Sequence, residues 1–257
     1  MAQGEIPYVV DYDDATFHTY DQHPNSFFRK VLGRKVDVIM RSASLVIVGN
    51  EYLESRAINA GAHQTLLVPS VVDAYRYNIE PKSSRPGVTI GWIGTPMTAR
   101  YLKPCIPLFE ALARDLPICF KGVGAPPDSF QGSVISTVPW SYETEAEQVA
   151  SFDVGIMPLY DGPWERGKCG YKLIQYMAAA KPVVASPVGV NIDLVADGRN
   201  GFLAETSDQW ADAIHQLVLS PDLRREKGLH ARNFVMRGYD VRVQAPRLIE
   251  ALKSVVS

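Results

Sequence analysis

Two lysines four residues apart, Lys168 and Lys172, are the side chains of this sequence best suited to bind an anion. The apolar run at 173–177 favours a helix, and a helix beginning at Lys168 would carry both lysines on one face near its first turn. A helix N-terminus offers free N–H groups and a partial positive charge, so two ammonium groups beside it would form an anion site. Such a site could bind a phosphate group. The alternative is that both are solvated surface lysines.

The segments that must position these lysines alternate between helical patterns and short apolar strands. The helix is predicted to run into the alanines 178–180 and to end at Lys181-Pro182, with a buried strand at 183–185. Further strands are predicted at residues 6–12, 45–48, 65–68, 88–93, 118–121, 134–138 and 154–157. This alternation predicts an α/β fold with parallel sheet covered on both faces.

The helices between these strands carry several end signals. One helix is predicted from Asn25 to about Met40, another at 51–60 capped by Gly61, and a third from Pro96 to about Arg114. Thr144 and Glu147 have the spacing of a capping box before a short helix. The last three helices are predicted at 207–219, at 221–235 with Ser220 as N-cap, and at 242–256. The polar stretch at 80–87, with two prolines and a glycine, suits a linker.

In an open parallel sheet, ligands bind beyond the carboxyl ends of the strands. Small residues and backbone amides that could approach a phosphate are predicted at such ends, together with two aromatic side chains. These residues are Gly94, Thr95, Lys121, Gly122, Trp140 and Tyr160, and the loop from Glu165 to Lys172 belongs with them. Trp140 could flank a nucleobase, and core or hinge packing is the alternative. For Gly94 and Thr95 the alternative is an ordinary tight turn.

Composition narrows the class of protein. The 257 residues carry a net charge of −2, which gives no electrostatic case for a nucleic-acid partner. Three cysteines without a C-x-x-C pair indicate reduced thiols, and five scattered histidines form no zinc-type pattern. Neither an apolar run of membrane-spanning length nor a signal peptide is evident, so a cytoplasmic location is expected.

The stretch KLIQYMAAAKPVVASPVGVN, residues 172–191, is followed by Gly198 and by Gly201-Phe202-Leu203. In order and spacing these residues resemble the nucleotide-sugar-binding domain of GT-B glycosyltransferases of the family 4, or group 1, type. Shorter matches extend the resemblance over about 88–235, and a weaker one reaches back to Asp11.

The resemblance implies two Rossmann-like domains with a donor cleft. It implies a complete donor domain at 88–238, a partial acceptor-side domain at 1–79, a linker at 80–87 and a C-terminal helix at 239–257 that crosses back. The family's N-terminal domain usually begins with a glycine-rich loop, and none precedes Asp11. We therefore expect an N-terminally truncated chain.

The function implied is transfer of a sugar from a UDP- or GDP-sugar to a carbohydrate or lipid-linked acceptor, with retention and without a metal or other cofactor. Lys168, Lys172 and the helix start at Gly170 would hold the leaving diphosphate. One alternative is a non-catalytic nucleotide-sugar-binding module. The other is a sugar-nucleotide epimerase, which would need no acceptor.

Two departures from the family pattern concern acidic residues. Family members carry two glutamates eight residues apart, but Gln175 stands at the second position and Gly167 at the first. Gln175 could still bond a ribose hydroxyl, or be an exposed helix glutamine. Glu165 or Asp161 could replace the missing acid.

The run Asp11-Tyr12-Asp13 has the D-x-D pattern of metal-binding GT-A enzymes, but it follows only ten residues and is interpreted as a strand-end turn. Asp14 and His18 beside it are candidate acceptor contacts. Further along, residues 27–35 mix aromatics with four cations. Such a helix could touch anionic lipid, or pack one face and solvate the other.

Overall fold

The computed structural model of the chain describes residues 7–79 and 87–256. The strands are β1 (Val9–Tyr12), β2 (Leu45–Val48), β3 (Thr65–Leu67), β4 (Val88–Ile93), β5 (Ile118–Val123), β6 (Ile135–Val138), β7 (Val154–Met157), β8 (Val183–Ala185) and β9 (Gly201–Leu203). The first helices are α1 (His18–Asp21), α2 (Ser26–Leu32), α3 (Lys35–Ser42), α4 (Glu51–Ala60), α5 (Ile106–Asp115) and α6 (Glu145–Ala150). The remaining ones are α7 (Pro163–Arg166), α8 (Tyr171–Ala178), α9 (Asn191–Leu194), α10 (Ser207–Leu219), α11 (Pro221–Gly238) and α12 (Val241–Val256).

The chain divides into two compact units, and neither is a single stretch of sequence. Unit 1 comprises Met1–Ser70, Asp161–Cys169 and Arg242–Ser257, and unit 2 comprises Val71–Tyr160 and Gly170–Val241. Residues 71–79 therefore group with unit 2 and residues 161–169 with unit 1, which differs from the predicted domain borders. Most of the predicted linker, residues 80–86, lies outside the described residues.

Unit 1 is built on a parallel sheet of order β1-β2-β3. The strand β2 is buried at all four positions, as expected of a central parallel strand. The helix α4 has the predicted bounds: Asn50 caps its start by accepting from the Leu53 N–H, and Gly61 ends it at a φ of 85°. The single helix predicted from Asn25 to Met40 is instead two, α2 and α3, interrupted at Gly33.

Unit 2 is built on a six-stranded parallel sheet of order β6-β5-β4-β7-β8-β9. Two clusters of buried apolar side chains lie within this unit, one containing Tyr176 and the other containing Trp92. The order confirms the predicted α/β class with parallel strands. Because all six strands are parallel, their carboxyl ends meet at one edge of the sheet.

Some helix ends in unit 2 have the predicted capping residues and others do not. Ser220 caps α11 as predicted, by accepting a hydrogen bond from the Leu223 N–H. The predicted capping box at Thr144 is wrong: the Thr144 hydroxyl pairs with Ser141 at 2.9 Å and makes no cap bond. The helix predicted after Pro96 begins as two 3-10 turns, Thr98–Tyr101 and Lys103–Cys105, before α5. In the described part of the chain, no helix is both long and apolar enough to cross a membrane.

Candidate active site

The carboxyl ends of β4, β5 and β6 are tied together by backbone contacts. The Gly94 N–H donates to the carbonyl of Val123 at 3.0 Å, and the Gly124 N–H donates to that of Val138 at 2.8 Å. Gly124 has a φ of 81°, and a Cβ atom there would overlap the Gly94 carbonyl oxygen. Only glycine suits this position, for both reasons. The two glycines therefore let the backbone that follows β4 pack directly against the backbone that follows β5.

Lys121 and Gly122 do not lie at a strand end, because β5 extends two residues further than predicted, to Val123. The Lys121 ammonium donates to the Ser151 hydroxyl at 3.0 Å and lies 6.0 Å from the centre of the Phe152 ring. Gly122 is buried within the strand. Neither residue supports the predicted ligand contact.

Trp140 follows β6 and is held by a buried carboxylate. Its indole N–H donates to Glu145 Oε2 at 2.7 Å, while the Tyr77 hydroxyl donates to Glu145 Oε1 at 2.6 Å. Arg76 lies 3.3 Å from the same Oε1, so the buried charge has a cation and two hydrogen-bond donors. Trp140 itself is 50% exposed. Its ring is thus fixed in orientation while much of its surface stays open to a ligand.

Gln175 is buried, so the alternative of an exposed helix glutamine is wrong. It is 2% exposed, and its amide donates to the Tyr77 hydroxyl at 2.8 Å. Burial and the bond to Glu145 raise the pKa of Tyr77 well above its usual range, so Tyr77 remains a neutral donor. The Gln175 donor is therefore already engaged with a protein group.

The helix α8 begins at Tyr171 rather than at Lys168, so the two lysines do not share its first turn as predicted. Gly170 is the N-cap with a φ of 67°, and a Cβ atom there would overlap Leu194 Cδ1. Tyr176 anchors this helix to the sheet: its hydroxyl accepts from the Ile93 N–H at 2.9 Å and donates to the Ile156 carbonyl at 3.3 Å. The start of α8 is thus held against β4 and β7.

Lys172 lies on the first turn of α8. Its ammonium is 5.8 Å from the centre of the Trp92 ring, within the range of a cation–π contact. The Trp92 ring also borders Gly94, where a Cβ atom would overlap it. Gly124, Gly94, Trp92 and Lys172 therefore form a continuous set at the carboxyl edge of the sheet.

Thr95 and Tyr160 lie at the ends of the adjacent strands β4 and β7, and both are exposed. The Thr95 N–H donates to the Thr98 hydroxyl oxygen at 3.0 Å. The Tyr160 ring packs on that of Tyr101 at 5.5 Å between centroids. Their predicted strand-end positions hold, and Thr95 already forms a local turn.

Lys168 belongs to unit 1, where its ammonium lies 3.5 Å from Asp14 Oδ1. The backbone around it is fixed by the Asn50 side chain, which donates to the carbonyls of Gly167 and Lys168 at 3.0 and 3.2 Å. Cys169 is buried next to these groups, and a Cβ atom on Gly49 would overlap its sulfur. Burial, reinforced by the charges of Asp14 and Asp13, raises the pKa of the Cys169 thiol to about 12.

The candidate acids of this segment differ in setting. Glu165 lies on α7 and is 8% exposed. Its Oε2 packs against Gly162, where an added Cβ atom would lie only 2.5 Å away. Asp161 is exposed and forms a bidentate ion pair with Arg166 at 2.7 and 2.9 Å. Gly167 has no room for a side chain, because a Cβ there would overlap the Cβ of Ala15.

His18, a candidate acceptor contact, has both ring nitrogens engaged within unit 1. Nδ1 hydrogen-bonds with Asp21 at 2.7 Å, and Nε2 with the Tyr52 hydroxyl at 2.8 Å. Arg56 bridges Asp21 and Asp37 in the same network. Among the described residues, no three His, Cys, Asp or Glu side chains are grouped closely enough to hold a metal ion.

The fold defined by these parallel sheets is shared with solved glycosyltransferase structures. The crystal structure of Anabaena HepE in complex with UDP and glucose matches 96% of this chain and 72% of its own, with a TM-score of 0.76 at 20% identity. Sucrose-phosphate synthase of Thermosynechococcus elongatus matches 99% of this chain and 69% of its own, with a TM-score of 0.78 at 17% identity. The chain therefore has a GT-B fold.

Within this fold, residues 129–220 match the family described as "Glycosyl transferases group 1". The predicted resemblance is thus confirmed over that range. The Bacillus subtilis (strain 168) protein named "Putative teichuronic acid biosynthesis glycosyltransferase TuaH" is 24% identical over 186 residues, or 63% of this chain. That segment spans 45% of the relative.

The residues that sequence reasoning missed are those that act at long range. Tyr77 is 98 positions from Gln175 and 68 from Glu145, so no local spacing indicated their network. Asn50 could have been found as an N-cap, because it immediately precedes a helical pattern. Its second bond, to the backbone of residues 167–168, has no signal in the sequence.

Proposed function

We propose that the chain transfers a sugar from a nucleotide-sugar donor to a carbohydrate or lipid-linked acceptor. The observation that carries the proposal is the continuous set of Gly124, Gly94, Trp92 and Lys172 at the carboxyl edge of the unit 2 sheet. It combines two glycines that follow strand ends with a cation on the first turn of a helix, and a cation beside helix N–H groups is what a diphosphate requires. The family match over residues 129–220 supports the same reaction class.

The nucleotide would be a uridine or guanosine diphosphate, and we favour uridine. HepE, which shares this fold, was crystallised with UDP and glucose. In this chain Trp140 would flank the base, because its indole is locked by Glu145 and half exposed. Gln175 would act by holding Tyr77 against that carboxylate rather than through its own amide donor.

The leaving diphosphate would be stabilised by Lys172 and the N–H groups at the start of α8, without a metal ion and with retention at the sugar. The charge of Lys168 is partly offset by Asp14 at 3.5 Å within unit 1, and its role in holding the diphosphate stays a prediction. Glu165 is the acid closest in sequence to Gly167, the position at which the resembled family has a glutamate. Glu165 would replace that glutamate.

A prediction on Lys172 tests this assignment. Lys172→Ala should weaken UDP binding by roughly tenfold, because a charge-assisted contact to phosphate is lost, and should leave uridine binding unchanged. The measurement is calorimetric titration with UDP, GDP, ADP and uridine, first without metal and then with magnesium. Lys103→Ala, an exposed lysine of the same unit, is the control. Equal losses for UDP and uridine would refute the phosphate role.

A non-catalytic nucleotide-sugar-binding module is the second candidate, favoured by one observation. Gly167 cannot carry a side chain where the resembled family has its first glutamate, because Ala15 fills the space. Such a module would bind UDP but release no UDP from UDP-glucose in the presence of sugar or lipid-linked acceptors. An enzyme would release UDP from UDP-glucose, and the Glu165→Gln variant should lose this turnover while keeping its affinity for UDP. That result would favour the enzyme over the module.

A further inference from the structure

The helix α2 buries none of its own residues. Phe27, Phe28 and Val31 are 69%, 46% and 60% exposed. Val31 is four residues from Phe27 and three from Phe28, so the three side chains form one stripe of the helix. Helices this short are normally stabilised by packing an apolar face, and an exposed apolar stripe marks an interaction surface.

This apolar stripe is held in place by local bonds. Asn25 caps the helix by accepting from the Phe27 N–H at 2.9 Å. The Phe28 ring packs on that of His23 at 4.8 Å, and Phe27 meets Phe28 edge-on at 6.4 Å. Arg29 donates to the carbonyls of His23 and Pro24, at 2.7 and 3.0 Å. The stripe is therefore preorganised.

Positively charged residues flank the stripe in the sequence. Residues 22–36 include four cations, Arg29, Lys30, Arg34 and Lys35, and no aspartate or glutamate. Within residues 7–79 and 87–256, none of the four forms a salt bridge. The acids on either side, at positions 21 and 37, are both paired with Arg56. The segment is thus apolar and cationic at once.

We propose that residues 23–35 dock unit 1 on an anionic lipid surface. The apolar stripe would enter the boundary between headgroups and acyl chains, and the four cations would contact the headgroups. A second copy of the chain is a poorer partner, because a symmetric contact would bring the same four cations together. This inference does not depend on the proposed reaction.

The test is co-sedimentation of the full chain with vesicles of phosphatidylcholine, with and without about one third phosphatidylglycerol. Binding is expected only to the anionic vesicles, and should weaken as salt rises from about 0.05 to 0.5 M. The double variant Phe27→Ser with Phe28→Ser should bind at least about tenfold more weakly. Ile58→Ser is the control, since Ile58 is also 60% exposed in unit 1 but lies on α4.

A charge variant separates the two contributions. Lys30→Glu with Arg34→Glu should reduce binding to anionic vesicles by at least about tenfold, whereas Arg225→Glu on unit 2 should not. The melting temperature of this charge variant should stay within about 2 °C of that of the unmodified chain, because α2 buries no residue.

Equal binding to neutral and anionic vesicles, or an equal loss of binding in the control variants, would overturn the proposal. So would self-association in lipid-free solution that the phenylalanine variant abolishes. The salt dependence of vesicle binding by the unmodified chain tests the contribution of charge without any substitution.

Discussion

At the scale of single residues, Gly167 shows how tight packing excludes a side chain. A Cβ atom there would overlap that of Ala15, and Asn50 fixes the same backbone by bonding its carbonyl. The φ of Gly167 is −81°, which any residue can adopt. The constraint is therefore steric and not conformational.

Gly167→Ala is expected to lower the free energy of unfolding by about 1–3 kcal/mol, because the added methyl group overpacks the site. Urea denaturation measures this loss. Gly238→Ala is the matched control, since no atom lies within 4 Å of a Cβ at that position. Ala15→Gly in the same chain should restore part of the loss. A loss as large at Gly238 would show that overpacking is not the cause.

The buried thiol of Cys169 links stability to alkaline pH. Its pKa is raised from the ordinary 9.0 to about 12, chiefly by burial. Because the thiol pKa is higher in the folded chain, the thiol of the unfolded chain ionises at a lower pH than that of the folded chain. The contribution of Cys169 to the free energy of unfolding is therefore complete below pH 9 and is lost as pH rises from 9 towards 12. Stability differences between the unmodified chain and Cys169→Ala should therefore fall by up to about 1.4 kcal/mol per pH unit above pH 9. Denaturant titrations at pH 8 to 10.5 measure the difference, and Cys119→Ala, at an exposed thiol, is the control. A pH-independent difference at Cys169 would contradict the linkage.

At the scale of elements, the start of α8 combines two demands on one glycine. Gly170 has a left-handed φ of 67° and no space for a Cβ atom beside Leu194. Tyr176, one turn and a half further on, pins the helix to β4 and β7. The position of Lys172 thus depends on the packing of Gly170 at the start of α8 and on the buried Tyr176 hydroxyl further along the helix.

Gly170→Ala should cost about 2–4 kcal/mol of unfolding free energy, from backbone strain together with the overlap at Leu194. Gly132→Ala separates the two causes: Gly132 has a φ of 80° but nothing within 4 Å of a Cβ, so only strain of about 1–2 kcal/mol is expected. UDP titration of the same variants should show weakened binding for Gly170→Ala alone. Equal costs in stability at both positions would mean that packing against Leu194 contributes nothing.

Elements whose signals are local were predictable from the sequence. The strands β2, β4, β7 and β8 have the predicted bounds, because each is a run of residues with apolar or small side chains between turn signals. The start of α8 was not predictable, since Gly170 is a left-handed N-cap whose need for glycine arises from Leu194 in tertiary packing. Gly94 and Trp140 follow the ends of β4 and β6 as predicted, and their contact with a ligand stays a prediction. The burial of Gln175 was not predictable, because its partner Tyr77 is remote in sequence.

At the scale of the whole molecule, the chain passes between the two units four times, at residues 70/71, 160/161, 169/170 and 241/242. The segment 161–169, which carries Lys168 and Glu165, belongs to unit 1 although it lies inside the sequence of unit 2. The helix α12 likewise rejoins unit 1, where Arg247 donates to the Leu67 carbonyl at 3.4 Å. Sequence order alone therefore does not define either unit.

Removing residues 242–257 should destabilise unit 1 more than unit 2. Amide hydrogen exchange followed by mass spectrometry is the measurement: protection should fall by at least about tenfold in β2 and β3, and change little in β4 and β7. A chain truncated only at residues 254–257 is the control, since it keeps most of α12. A uniform fall in protection over both sheets would show that the units unfold as one.

The same division has a mechanical consequence. Residues near both ends of the described chain, at β1 and α12, belong to unit 1. A force applied between them loads unit 1 directly, whereas unit 2 bears tension only through its connections to that unit. Under a slowly rising pull in an optical trap, the three-stranded sheet should give the first extension step. The six-stranded sheet should then lengthen in a later step of its own.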